Sequence, residues 1–222
     1  MARMAAIVVS AGTGNRMGGD KTFLALGGRP LISWTVDVLQ ANNSISQIVL
    51  VLQKGMLNKG GELKSQRKWS KVTGICAGGE LRQDSVRNGL EVVNECDLVL
   101  VQDGARPFLT NRLISDGIDA VKETGAAAAA VEVKDTVKQV DDSGVVIRTL
   151  QRDRLRAVQT PQVFRVDLLR KAYELVSSEA TDDASIVERA GYRVKLYQGD
   201  YENIKITTPE DLMLAEMIAR GR

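Results

Sequence analysis

A glycine-rich loop over residues 10–18 is the part of this sequence that best fits chemistry on phosphate groups. Glycines that follow a strand allow backbone N–H groups to approach phosphate oxygens closely. Arg16 lies in the loop and Lys21 follows it, so both cations are candidates to stabilise the charge of a reacting phosphoryl group. The residues predicted to cradle the phosphates are Ser10, Ala11, Gly12, Thr13 and Gly14.

Two common phosphate-binding loops do not match this segment. A dinucleotide-binding loop requires G-x-G-x-x-G, whereas the third glycine here, Gly18, comes one residue late. A Walker A loop requires lysine directly after a glycine, whereas Asp20 separates Gly19 from Lys21. A glycine turn without a ligand would explain the glycines but not the flanking cations. The loop alone therefore leaves the kind of nucleotide open.

The composition excludes several classes of function. The 222 residues include no histidine, which excludes Ser-His-Asp triads, Cys-His pairs and histidine metal sites. Thirty basic residues nearly balance twenty-eight acidic ones, so no nucleic-acid partner is expected. Cys76 and Cys96 lack metal-ligand spacing and are expected as thiols in a reducing compartment. No apolar stretch reaches membrane-spanning length. We expect a cytoplasmic protein, or one of the plastid stroma if this is a mature plant chain, without a membrane partner.

Alternating strands and helices would position the loop. Short apolar runs predict buried strands at residues 5–10, 47–52, 97–102 and 126–131. Helical spacing predicts helices after Pro30, around Val86 and Leu90, around Ile114 and Ile118, and after Pro209 with Leu214 and Met217. This order predicts an α/β fold with a Rossmann-like wound, mostly parallel sheet.

One segment departs from the alternation. Residues 134–150 alternate apolar and polar side chains around Asp142, Ser143 and Gly144, which predicts a β-hairpin with a short turn. A hairpin at this point in an α/β chain would project from the sheet as an arm for a partner subunit. The alternative is an edge hairpin of the same domain.

Further motifs extend over nearly the whole chain in one order. They are the loop with Arg16 and Lys21, then residues 78–86, 101–107, 135–136, 152, 159–162, 181–185 and 203–212. Together they resemble the 2-C-methyl-D-erythritol 4-phosphate cytidylyltransferases of the non-mevalonate isoprenoid pathway. The resemblance implies one domain of the nucleotidyltransferase type over residues 1–222, with a hairpin arm at residues 134–155 that joins two subunits into a homodimer.

The resemblance also implies a reaction in which the phosphate of methylerythritol phosphate attacks the α-phosphorus of CTP. The phosphate nucleophile is already charged at neutral pH, so a chain without histidine needs no general base. Arg16 and Lys21 are assigned to the transition state, and Arg152 and Lys205 resemble the residues that hold the acceptor phosphate. The nucleotide is expected to contact Gly79, Glu80, Ser85 and Asp103. The acceptor pocket is expected to contain Asp103, Gly104, Arg106, Thr136, Arg152, Thr160, Thr181 and Lys205.

Acidic residues at position 103 and at positions 182–183 are candidates for a metal ligand and for a carboxylate pair. Asp103 follows a predicted strand, and an exposed carboxylate there would suit Mg²⁺ or another divalent cation that bridges the triphosphate. A turn cap is the alternative for this residue. Asp182 and Asp183 are expected to be a solvated helix start rather than a catalytic pair.

The chain departs from the family pattern at several positions. Ser10 and Gly104 stand where the family usually has alanine, and Gln102 stands where it usually has histidine. The segment between Met17 and Lys21 is short. A cytidylyltransferase for another alcohol phosphate, such as ribitol 5-phosphate, and a non-catalytic nucleotide-binding regulatory protein are the alternative functions.

Overall fold

A seven-stranded sheet forms the centre of the computed structural model, which describes residues 3–12 and 22–222. These residues form eleven strands: seven make up the central sheet, β2 pairs with β3, and β8 pairs with β9. In chain order they are β1 (Met4–Ser10), β2 (Ala25–Leu26), β3 (Arg29–Pro30), β4 (Ile45–Leu52), β5 (Val72–Ala77), β6 (Leu98–Asp103), β7 (Ala126–Glu132), β8 (Lys138–Val140), β9 (Val146–Thr149), β10 (Arg156–Arg165) and β11 (Lys195–Gln198). The helices are α1 (Leu31–Ala41), α2 (Leu57–Arg67), α3 (Arg82–Val92), α4 (Asn111–Thr124), α5 (Val166–Leu175), α6 (Asp183–Arg189) and α7 (Pro209–Arg220).

The order of the strands creates a crevice at one edge of the sheet. The order is β11-β7-β10-β6-β1-β4-β5, and all neighbours are parallel except β10, which is antiparallel to β6 and β7. From β1 the chain proceeds to β4 on one side and later to β6 on the other. Ligands in wound sheets bind at such a reversal, outside the carboxyl ends of the strands. The predicted wound, mostly parallel sheet is confirmed.

Helices cover both faces of the sheet because its strands are apolar on both sides. Along β1, Met4, Ala6 and Val8 face a core that includes side chains of α1, α2 and α4. Ala5 and Ile7 face a second core built with α3, α5 and α6. Strands buried on both faces favour continuous apolar runs over alternation, which is why these runs were recognisable in the sequence.

The helix ends follow their local sequence. Thr208 caps α7, Pro209 occupies its first turn, and the side chain of Asp211 accepts the backbone N–H of Thr208. The predicted start of this helix is confirmed, but Leu214 and Met217 are exposed because α7 packs through its other face. None of the helices in residues 3–12 and 22–222 is long and apolar enough to span a bilayer.

Strands β8 and β9 form the predicted hairpin. They pair antiparallel, and Asp141 closes the turn by accepting the backbone N–H groups of Ser143 and Val145. The residues of both strands are exposed, including Val140 and Ile147. The hairpin is therefore an arm that the described part of its own chain leaves uncovered. The division of residues 1–222 into one domain with an arm over residues 134–155 stays a prediction.

Candidate active site

A cavity of about 210 Å³ lies at the reversal of the sheet, between the carboxyl ends of β1 and β6 and the start of α3. The predicted site residues that line it are Ser10, Ala11, Gly12, Gly79, Glu80, Ser85, Asp103, Gly104 and Lys205. Residues proposed from separate parts of the sequence thus meet at one place. The predicted residues Thr13, Gly14, Arg16 and Lys21 lie outside the described residues.

The start of the glycine-rich loop is held by side chains from neighbouring segments. The Thr22 hydroxyl donates to the carbonyl oxygen of Ser10 at 3.1 Å. The side-chain amide of Gln53, directly after β4, donates to the carbonyl oxygen of Gly12 at 2.7 Å. Satisfying these carbonyls fixes the backbone after β1 before any ligand binds. Gln53 was not predicted as a site residue because this contact joins segments 41 residues apart.

The segment 78–85, which includes residues predicted to contact the nucleotide, packs directly on this loop. A Cβ atom on Gly78 would lie 2.2 Å from the Cβ atom of Ala11, so only glycine allows this approach. The N–H of Gly79 donates to the Ser85 hydroxyl at 3.2 Å, and that hydroxyl is also within 3.2 Å of the Leu81 carbonyl oxygen. The Ser85 hydroxyl thus fixes the backbone of residues 79–81 by local hydrogen bonds.

Asp103 lies at the centre of a cluster of cations. Its Oδ1 accepts a hydrogen bond from Arg82 Nε at 3.1 Å, and its Oδ2 is 2.8 Å from Lys205 Nζ. Arg106 Nε lies 3.9 Å from the same Oδ2. Burial opposes ionisation of Asp103, but Arg82 and Lys205 outweigh it and hold the pKa of this carboxyl well below its usual range. Asp103 is therefore an anion that pairs with two cations of the cavity lining, Arg82 and Lys205, and has Arg106 nearby.

The expected exposure of Asp103 is wrong. Asp103 is only 7% exposed, because the following turn and the start of α3 cover the end of β6. Thr160 accounts for part of this packing, since its side-chain oxygen accepts the backbone N–H of Asp103 at 3.1 Å. Arg106 lies behind the carboxylate and donates to the carbonyl oxygen of Asn203 at 2.7 Å.

The interpretation of Asp183 as part of a solvated helix start is also wrong. Its side chain is fully buried, where it accepts hydrogen bonds from Arg82 Nη1 at 2.7 Å and from the Tyr173 hydroxyl at 2.6 Å. Asp182 does cap α6, by accepting the backbone N–H of Ser185. Arg82 was missed in the sequence although it lies between Glu80 and Ser85. Two signals were available: residue 82 lies in the motif at residues 78–86, and an arginine in the first turn of a helix is unfavourable without an anionic partner.

Three predicted acceptor residues lie elsewhere. Thr136, Arg152 and Thr181 are exposed, and none of them lines the cavity at Asp103. Arg152 donates to the carbonyl oxygen of Lys134 at 2.6 Å and borders a separate cavity at the base of the arm, together with Glu132 and Arg156. Within the described part of one chain, the structure does not bring Arg152 to Lys205.

Two departures from the family pattern compensate for each other. A Cβ atom on Gly104 would lie 2.0 Å from the hydroxyl oxygen of Ser10, and 3.2 Å from its Cβ atom. The two residues are neighbours because the N–H of Gly104 donates to the carbonyl oxygen of Val9 across β1 and β6. Serine at position 10 thus fills the volume that an alanine at position 104 would occupy.

We expect Gly104→Ala to lower the free energy of unfolding by about 1 to 2 kcal/mol, because the added methyl overpacks the site. Ser10→Ala in the same chain should recover most of this loss, since it removes the closest atom. Urea denaturation of the two single variants and the double variant measures the coupling. Gly12→Ala is the matched control, because a Cβ atom there meets nothing within 4 Å in the part of the chain that the structure describes. Additive effects of the two substitutions would contradict the compensation.

Comparison with known proteins gives a consistent result. The family model for 2-C-methyl-D-erythritol 4-phosphate cytidylyltransferase matches residues 4–221. A curated protein of that name from Dehalococcoides mccartyi is 49% identical over 99% of this chain and 98% of its own length. Another from Clostridium novyi is 46% identical over 98% of this chain and 97% of its own length.

Solved structures agree with the sequence comparisons. The crystal structure of 4-diphosphocytidyl-2C-methyl-D-erythritol synthase from Anaerococcus prevotii superposes with a TM-score of 0.87 at 31% identity, covering 99% of this chain and 96% of that one. The 2-C-methyl-D-erythritol 4-phosphate cytidylyltransferase of Thermus thermophilus gives 0.80 at 34% identity, covering 96% and 98%. With its cavity at the reversal of the sheet and its motifs gathered around it, the chain belongs to the 2-C-methyl-D-erythritol 4-phosphate cytidylyltransferase family.

Proposed function

We propose that this chain joins CTP and 2-C-methyl-D-erythritol 4-phosphate to give 4-diphosphocytidyl-2-C-methyl-D-erythritol and pyrophosphate, a step of isoprenoid precursor biosynthesis. The observation that carries this proposal is the cavity at Asp103, where Lys205, Arg82 and Arg106 gather at the carboxyl edge of the sheet. Its position suits an anionic nucleotide, and the curated relatives carry the name of this activity.

The reaction requires two anions to approach each other. An oxygen of the acceptor phosphate forms a bond to the α-phosphorus of CTP, while the bond from that phosphorus to the bridging oxygen breaks and pyrophosphate leaves. Positioning and charge stabilisation supply most of the catalysis in such transfers. Lys205, at the cavity, is proposed to bind the acceptor phosphate. Arg16 and Lys21, outside the described residues, are proposed to stabilise charge on the α-phosphoryl group.

The proposal includes Mg²⁺ or another divalent cation, which would neutralise phosphate charge when bound. The described residues do not complete a site for it: both oxygens of Asp103 already face cations. Within residues 3–12 and 22–222 no group of three or more acidic or cysteine side chains is placed to hold a metal. Because Mg²⁺ commonly binds through substrate phosphates, we assign it to the triphosphate oxygens of CTP rather than to Asp103. Asp103 as a direct ligand would have to exchange Lys205 or Arg82 for the metal.

A homodimer joined through the arm is also part of the proposal. Val145 and Ile147 of the arm are 62% and 59% exposed, and a two-stranded hairpin alone is marginal in water. Thr136 and Arg152 lie within this arm, before β8 and after β9, and away from the cavity of their own chain. We propose that the arm packs on a second copy, which would cover these apolar side chains and bring Arg152 to that copy's Lys205. The cytoplasmic location stays a prediction from the sequence.

Incubation of the purified protein with CTP, Mg²⁺ and a panel of alcohol phosphates tests the activity. We expect pyrophosphate release with methylerythritol phosphate at a kcat/KM far above that with ribitol 5-phosphate. A preference for ribitol 5-phosphate would identify the other cytidylyltransferase. Binding of CTP without pyrophosphate release from any acceptor would favour a regulatory nucleotide-binding protein.

A further inference from the structure

Four charged or polar side chains connect the cavity to the helices behind it. Tyr173 on α5 donates its hydroxyl proton to Asp183 Oδ1, at 2.6 Å. Asp183, at the start of α6, accepts from Arg82 Nη1 at 2.7 Å, and Arg82 Nε donates to Asp103 at 3.1 Å. Asp103 in turn pairs with Lys205 at 2.8 Å. We call Tyr173, Asp183, Arg82 and Asp103 the buried relay.

Arg82 is the residue on which the relay depends. Its guanidinium uses one nitrogen for each carboxylate, a bridging geometry that a lysine cannot reproduce. Its remaining nitrogen, Nη2, is buried without a partner in residues 3–12 and 22–222. Burial alone would lower the pKa of Arg82, but Asp183 and Asp103 raise it above its ordinary value. The guanidinium therefore keeps its charge at every physiological pH.

We propose that Arg82 is a positioning residue that fixes Asp103, and through it Lys205, against the segment that follows Thr181. Asp183 lies two residues after Thr181, so the same guanidinium holds both the carboxylate at the cavity and the chain beside a proposed acceptor residue. This inference rests on the proposed function. Loss of the relay should affect the acceptor side of the reaction more than the binding of CTP.

Tyr173→Phe is the mildest test of the buried relay, because it removes one hydroxyl that contacts neither the cavity nor Asp103. We expect kcat to fall about tenfold and the KM for methylerythritol phosphate to rise, with the KM for CTP within about twofold, since a charged hydrogen bond of this kind carries about that factor. Arg82→Lys should lose at least as much, because a single ammonium keeps the charge but cannot bridge both carboxylates.

The double variant distinguishes the relay from general packing. If Tyr173 acts through Asp183 and Arg82, adding Tyr173→Phe to Arg82→Lys should change kcat by less than about twofold. Arg87→Gln is the matched control: this arginine of α3 contacts Tyr173 but neither Asp183 nor Asp103, and its variant should retain wild-type kcat.

Three results separate the possible failures. Wild-type kcat in both Tyr173→Phe and Arg82→Lys would overturn the relay. If the fold-losses of kcat in the two single variants multiply in the double variant, Tyr173 contributes through packing and its role in the relay is overturned. An inactive wild-type protein with every acceptor would instead overturn the proposed function itself.

Discussion

Asp103→Asn is expected to lower kcat/KM by about a hundredfold. The substitution keeps the shape of the side chain but removes the charge that holds Lys205 at 2.8 Å and Arg82 at 3.1 Å. Displacement of a positioning group by about 1 Å can alone account for a loss of this size. Steady-state kinetics with CTP and methylerythritol phosphate measure it, and the Mg²⁺ concentration for half-maximal rate should stay unchanged if the metal binds through the triphosphate.

The same variant should be less stable than the wild type by about 2 kcal/mol at pH 7. Removing one partner of a fully buried ion pair costs more than this, but Arg82 keeps Asp183 and the side chain of Lys205 is 38% exposed to water. Urea denaturation gives the difference, with Asp167→Asn as control because that carboxylate forms a surface ion pair with Arg165. Equal stability of Asp103→Asn and wild type would contradict a stabilising role for the ion pairs of Asp103 with Arg82 and Lys205.

The stability difference should depend on pH in one direction. Because the pKa of Asp103 is lower in the folded chain than its ordinary value of about 3.9, the ionised carboxylate stabilises the fold above that value. This contribution is lost as the pH falls below it. We therefore expect a constant difference between wild type and Asp103→Asn from pH 7 to 5, and a smaller one at pH 3.5. A difference that grows on acidification would contradict the assignment of Arg82 and Lys205 as the stabilising partners.

Features encoded by neighbouring residues were predictable. The apolar run before Ser10 gave β1, and the parallel strands it implied placed Asp103 and Gly104 beside the glycine-rich loop at the carboxyl edge. The family motifs then supplied Lys205, which no local pattern would have related to this edge. The structure confirms that these residues share one cavity.

The buried relay was not predictable because no sequence pattern expresses it. Arg82, Asp103 and Asp183 begin or end three different elements, and their pairing depends on how α3 and α6 pack against the same face of the sheet. Read alone, an aspartate in the first turn of a helix favours solvent and the helix dipole. In the fold, Tyr173 and Arg82 both hydrogen-bond to Asp183, and the carboxylate at that position is buried. The antiparallel β10 was missed because its buried part, residues 159–164, starts with the residues QTPQ rather than with an apolar run.

A shared active site predicts complementation between two inactive subunits. Arg152→Ala removes a guanidinium at the base of the arm, and Lys205→Met removes an ammonium at the cavity, so each variant alone should have little activity. If Arg152 acts in the cavity of the second subunit, a mixed dimer contains one pocket with both residues intact. Closed two-fold symmetry makes the other pocket lack both. We expect about half of the wild-type activity per mixed dimer.

The experiment requires co-expression with two different affinity tags, so that only mixed dimers are assayed. The matched control is a mixed dimer of one Asp103→Asn subunit and one Lys205→Met subunit. Both residues lie in the cavity of the same chain, so neither pocket of this dimer is intact and mixing should restore no activity. Light scattering at micromolar concentration tests the dimer separately, and a fully active monomer would contradict the shared site. Verified mixed dimers without activity would keep the dimer but assign Arg152 to its own subunit, where it would have to leave the Lys134 carbonyl to reach the substrate.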